Sequence, residues 1–71
     1  MIKFEIKNRF TGDVNFTAEI DCKEGDSNSI KIGLSVVWAV KNDADLGYAN
    51  LRDANLRDAN LRGANLGGAY L

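Results

Sequence analysis

The sequence predicts an α+β amino-terminal part, a β-hairpin followed by a helix, that caps a short solenoid made by the carboxy-terminal residues. Three observations carry this reading. Residues 2–20 alternate apolar and polar side chains in two runs separated by turn residues. Residues 29–41 place apolar side chains at helical spacing. From Ala44 to Leu71 the chain repeats itself every five residues. The expected division is therefore 1–43 for the hairpin and helix, and 44–71 for the repeat coil.

In the first run Ile2, Phe4 and Ile6 alternate with Lys3, Glu5 and Lys7. In the second, Val14, Phe16, Ala18 and Ile20 alternate with Asn15, Thr17 and Glu19. A period of two puts each apolar set on one face of a strand. Asn8 to Asp13 supplies the turn, with Gly12 free to adopt positive φ. Two strands alone are marginally stable, so their apolar face needs a cover.

Ser29 to Lys41 is the expected cover. Ser27 or Ser29 caps a helix whose Ile30, Leu34, Val37 and Trp38 fall on one face. A third strand is the competing reading, because Ile30, Ile32, Leu34, Val36, Trp38 and Val40 also alternate.

The repeat reads ADLGY, ANLRD, ANLRD, ANLRG, ANLGG, AYL. Alanine returns at 44, 49, 54, 59, 64 and 69, and leucine two places after each. On an α-helix a step of five turns the chain by about 500°, which leaves no apolar stripe. On a flat strand an odd step sends successive leucines to opposite faces. A backbone that bends once per repeat satisfies the pattern. Ala and Leu then share the inside of a narrow coil, where small alanine leaves room for one large side chain per face. The other three positions face water or make the corner.

These residues resemble the pentapeptide-repeat family, whose motif is A(D/N)LXX and whose fold is a right-handed quadrilateral β-helix. The resemblance implies four repeats per square coil, with coils at about the ~4.8 Å spacing of paired strands. Residues twenty apart then stack, Leu46 over Leu66 and Leu51 over Leu71, while Arg52, Arg57 and Arg62 lie on successive faces. The amino-terminal part also looks similar to phage and bacterial members of the family. In those, an R-F-T-G hairpin precedes a helix that runs into the first repeat. Here the matching features are Arg9-Phe10-Thr11-Gly12 and Leu34-Ser35-Val36-Val37-Trp38-Ala39-Val40. This resemblance tips residues 29–41 toward helix. It gives the hairpin and helix the role of covering the first coil's apolar end and free strand edges.

Composition narrows the function. At 71 residues the chain offers one small core. Its apolar fraction of 45% and charged fraction of 27% are those of a soluble globular protein. No apolar run reaches membrane length, and MIKFEIK lacks the profile of a signal peptide. The single Cys22 has no partner in the chain, as expected in a reducing cytoplasm. With no histidine and one cysteine, neither a usual metal site nor a nucleophile–histidine pair is available. Gly63, Gly67 and Gly68 lack a phosphate-loop spacing and read as corners. A non-enzymatic protein without cofactor or metal is expected.

What remains is surface. Net charge is −1, but Glu19, Asp21, Glu24 and Asp26 cluster against Lys23 alone. Asp43, Asp45, Asp53 and Asp58 follow toward and along the coil. These eight acids are the candidate binding residues. With the family resemblance they suggest a phage-type inhibitor that sets carboxylates where phosphates would sit on a host protein complex. Overall likeness points to an anti-CRISPR protein acting on a type I CRISPR–Cas surveillance complex. The alternatives are a generic interaction or structural module, and a DNA-mimic inhibitor of DNA gyrase, for which the coil is short. Direct nucleic-acid binding through Arg52, Arg57 and Arg62 is disfavoured, since Asp53 and Asp58 adjoin two of them and no aromatic residues interleave. No membrane contact is expected. The repeat runs to Leu71 without a polar cap, which predicts a monomer or an end-to-end dimer through that open coil.

Overall fold

The computed structural model describes residues 1–56, 61 and 64–70. Arg57, Asp58, Arg62 and the pairing of Leu51 with Leu71 fall outside the described residues.

Strand β1 (Ile2–Lys7) and strand β2 (Val14–Ile20) form an antiparallel hairpin, with Ile2 opposite Ile20 and Ile6 opposite Phe16. Its tip is tied by Asn8, whose side-chain oxygen accepts the amides of Phe10 and Thr11 at 2.8 and 3.0 Å. Gly12 has φ +77°, the left-handed conformation expected of it. The register slips between Ile6 and Lys7, so Lys7 pairs with Val14 and Asn15 is the extra residue of a bulge. The bulge corrects one expectation. Ala18 and Ile20 are buried and Phe16 half-buried, but Val14 is exposed because the alternation changes phase at Asn15. The Asn15 side chain instead donates to the Gly47 carbonyl at 3.1 Å, joining the hairpin to the repeats.

Helix α1 (Asn28–Lys41) confirms the helical reading of this segment over the strand. Ser27 caps it, its hydroxyl accepting the Ile30 amide at 3.4 Å. At the other end the Asn42 amide and side chain both donate to the Trp38 carbonyl, and Asp43 turns left-handed at φ +55°. The face expected to pack holds at Val37 and Trp38, which are half-buried, but not at its amino-terminal half. Ile30 and Leu34 are exposed, whereas Gly33, Ser35, Val36 and Ala39 are buried. The reason is that α1 packs on two partners at once. Trp38 stacks on Phe16 of β2 with ring centroids 5.9 Å apart. On the other side Gly33 meets the repeats so closely that a Cβ there would lie 2.0 Å from the Asn55 carbonyl oxygen. The Asn55 amide donates to the Ser29 carbonyl at 2.9 Å. Small residues thus select the face that lets two backbones meet.

The repeats bend as their period requires. Asp43, Tyr48, Asp53 and Gly68 all have positive φ, and each immediately precedes a repeat alanine. The amides of Ala49, Ala54, Ala64 and Ala69 donate back to Leu46, Leu51, Leu61 and Leu66. Such a three-residue return with positive φ at its second corner residue is the pattern of a type II turn. The Asp or Asn after each alanine supports the corner. Asp45, Asn50 and Asn65 accept the amide two residues on, at 2.8, 3.2 and 3.2 Å. Asn50 bridges Tyr70 in parallel, so residues twenty apart lie side by side as a return every four repeats requires. On its other edge the same stretch pairs with the hairpin, through Asn8 and Ala49 in antiparallel sense. The hairpin therefore pairs along one edge of the repeat segment.

The core gathers from all three parts. Ile6, Val36, Ala39, Leu46, Ala49 and Leu51 form one buried cluster. Leu56, Leu61 and Leu66 pack against it half-buried.

Candidate docking surfaces

The candidate acids do not form one site. Glu19, Asp21, Glu24 and Asp26 lie at the open end of the hairpin and in the loop leading to α1. Glu19 stands opposite Lys3 across the strands, which offsets its charge locally. Asp26 is half-buried and accepts the Lys23 amide at 2.9 Å, so its carboxylate shapes the loop. Asp43 and Asp53 are exposed corner residues with positive φ, and Asp45 holds the Gly47 amide. The acids of the repeat segment therefore have structural roles at the corners. Asp58 lies outside the described residues.

Among the described candidate acids, Asp43 lines a small cleft of about 110 Å³ with Val40 and Asn65, and two others line a larger groove. Glu19 and Asp21 line an open groove of about 220 Å³ with Met1, Ile20, Leu34, Val37, Trp38 and Lys41. Met1 is 87% exposed and Leu34 36%, and Ile30 continues the helix stripe at 41%. This stripe is the helix face left over once α1 has packed on the hairpin and the repeats. The groove thus combines an apolar floor with charged residues of both signs in its lining, Glu19, Asp21 and Lys41.

A different surface forms at the hairpin tip. Arg9 lies with its guanidinium carbon 4.8 Å from the ring centroids of both Phe10 and Tyr70. Its Nη1 donates to the Gly68 carbonyl at 3.1 Å. Arg52 lies 5.9 Å from the Tyr70 ring on the coil side. Phe10 and Tyr48 are 6.1 Å apart, their planes tilted by 51°. Sequence reasoning missed this group because it searched for aromatics near Arg52 along the chain. Folding interleaves them through the two bridges, Asn8 to Ala49 and Asn50 to Tyr70.

Left-handed corners before repeat alanines, side-chain turns at Asp45, Asn50 and Asn65, and a pairing of residues twenty apart define the described part of the carboxy-terminal segment. The family described as pentapeptide repeats (8 copies) matches residues 42–71. Residues 42–71 are a pentapeptide-repeat segment. No curated protein and no solved structure matches the chain. The pentapeptide repeats account for where Ala and Leu point and why Asp or Asn sits between them. They do not account for the groove, which belongs to the hairpin and helix.

Among the described residues no group of three or more His, Cys, Asp or Glu is placed to hold a metal ion. No helix there is long and apolar enough to cross a membrane. Cys22 is a free, half-buried thiol.

Proposed function

We propose that the chain is a non-enzymatic interaction module, with its pentapeptide repeats wound as a right-handed quadrilateral β-helix under the hairpin–helix cap. Its acidic groove docks a segment of a partner protein that carries apolar side chains flanked by Lys or Arg. One observation carries this: Glu19 and Asp21 border the apolar groove formed by Met1, Ile20, Leu34, Val37 and Trp38. An apolar floor supplies affinity through desolvation, and the acidic residues bordering it favour a basic partner and speed its approach. Basic segments of this kind are common where proteins hold nucleic acid, so docking there would compete with phosphates. A phage-type anti-CRISPR inhibitor of a type I CRISPR–Cas surveillance complex is one protein of that description. Family resemblance alone supports that named target.

Trp38 is the chain's single tryptophan and lines the groove, so its fluorescence reads occupancy directly. An amphipathic Leu/Lys peptide should shift Trp38 emission at low salt, and affinity should fall as salt rises. Glu19→Lys with Asp21→Lys should abolish the shift while leaving the circular-dichroism spectrum unchanged. A peptide that leaves Trp38 unmoved, or equal binding by the double variant, refutes the reading. For the specific target, the chain should displace a DNA duplex from the surveillance complex, and the double variant should not.

A further inference from the structure

We infer that the surface at the hairpin tip, formed by Arg9, Phe10, Tyr48, Arg52 and Tyr70, is a second docking surface, for an acidic segment of a partner protein. The pentapeptide repeats explain part of this group. Arg9 pins the hairpin to the second coil through Gly68 and Tyr70. Pinning does not explain Phe10, which is 72% exposed, or Tyr48, 54% exposed. Phe10 has ring contacts with Arg9 and Tyr48, two side chains that are themselves at the surface. Tyr48 is held against the backbone of Gly68, where an added Cβ would lie 2.5 Å from its ring. The rings are therefore held by the fold and still largely wetted, which lowers the ordering cost of binding.

The chemistry selects the occupant. Tyrosine and arginine dominate the residues that carry binding energy at protein interfaces. A guanidinium presents paired donors that match a carboxylate bidentately. Arg9 gives Gly68 one of its five donors, and Arg52 lies 5.9 Å from the centre of the Tyr70 ring. Two guanidiniums beside exposed rings thus suit a short segment with Asp or Glu next to an apolar or aromatic residue. A nucleic-acid strand fits less well. Its affinity scales with the number of phosphates neutralised, and this surface offers two guanidiniums, Arg9 and Arg52. The chain as a whole carries −1, and its acidic loop lies at the opposite end of the hairpin.

The test uses the whole chain labelled with ¹⁵N at low salt and two probes of equal length, a peptide of eight glutamates ending in tyrosine and an oligothymidylate. The peptide should move the amides of Arg9, Phe10, Arg52 and Tyr70 and saturate. Phe10→Ala and Arg52→Gln should each weaken it about five- to thirty-fold. Phe10→Trp should bind as the parent does, and all three variants should melt with the parent. Glu19→Lys with Asp21→Lys should not reduce peptide affinity, which separates this surface from the groove. Tighter binding of the oligothymidylate would assign the surface to single-stranded nucleic acid and overturn the inference. So would the absence of any shift with the peptide, or a Phe10→Ala variant that binds it unchanged.

Discussion

Two stretches of the repeat segment, 46–51 and 54–69, carry the same motif but are buried to different depths. Leu46, Ala49 and Leu51 are 1%, 0% and 1% exposed, whereas Ala54, Leu56, Leu61, Leu66 and Ala69 are half-buried. The motif cannot be the cause, since Ala and Leu recur at the same spacing throughout. The difference lies in what covers each stretch. Leu46, Ala49 and Leu51 share a buried cluster with Ile6 of the hairpin and Val36 and Ala39 of the helix, whereas the later alanines and leucines pack against that cluster from outside. A repeat therefore sets the direction of its side chains, and the cap sets how much water they lose.

Breaking the capped stretch should have the largest effect. A chain of this size holds on the order of 4–10 kcal/mol of stability. Leu51→Asp would put an unpaired carboxylate at a site that is 1% exposed, in contact with both cap and repeat. Cooperative unfolding by urea should then disappear, with loss of the near-ultraviolet signal of Trp38. A variant that still melts cooperatively near the parent temperature would show that the capped stretch is not the centre of stability.

Next comes a matched pair that measures the comparison itself. Leu46 and Leu66 occupy the same repeat position, twenty residues apart. Leu46→Ala should cost about 2–5 kcal/mol, the usual range for a core leucine. Leu66→Ala should cost less than half of that, because less of its surface leaves water. Equal losses in a urea titration would mean that the later stretch is as well covered as the earlier one.

Gly33→Ala tests how the cap meets the coil, and two known effects oppose each other there. Within a helix, alanine is favoured over glycine by about 0.8–1 kcal/mol. Against that, the new methyl would lie 2.0 Å from the Asn55 carbonyl oxygen, a backbone atom that cannot swing aside. Overpacking of this kind costs about 1–3 kcal/mol. The contact should win, and the melting temperature should fall. A rise would mean that the helix can lift from the coil without loss.

The same contact shows why the sequence was legible only in part. The inward Ala and Leu were readable because a period of five excludes the regular alternatives, and Gly12 because a tight turn needs positive φ. The helix was readable as an element, but its buried face only in part. Periodicity marks a stripe of large apolar residues, and Ile30, Leu34 and Val37 form one; the coil is instead met by Gly33, Val36 and Ala39. Small residues in a helix carry no signal of close approach until the partner is in place. Arg9, Phe10, Tyr48, Arg52 and Tyr70 lie up to sixty residues apart, and only the pairing of the hairpin with two turns of the repeat gathers them.

The smallest effect should come at a corner. Asp53 has φ +67°, while Gly68 fills the equivalent position at +71°. A left-handed residue with a Cβ costs roughly 1–2 kcal/mol, less for Asp, whose short polar side chain bonds locally. Glycine removes that strain but loses more entropy on folding, by about 0.5–1 kcal/mol. The two nearly cancel, so Asp53→Gly should change stability by less than about half a kcal/mol by urea titration. Asp53→Val restores the full strain and should destabilise by at least about 1 kcal/mol. If valine were tolerated as well as glycine, the left-handed corner every five residues would not be what bends the chain. The capped and uncapped stretches would then have to differ in backbone, and burial alone could not explain the contrast between Leu46 and Leu66.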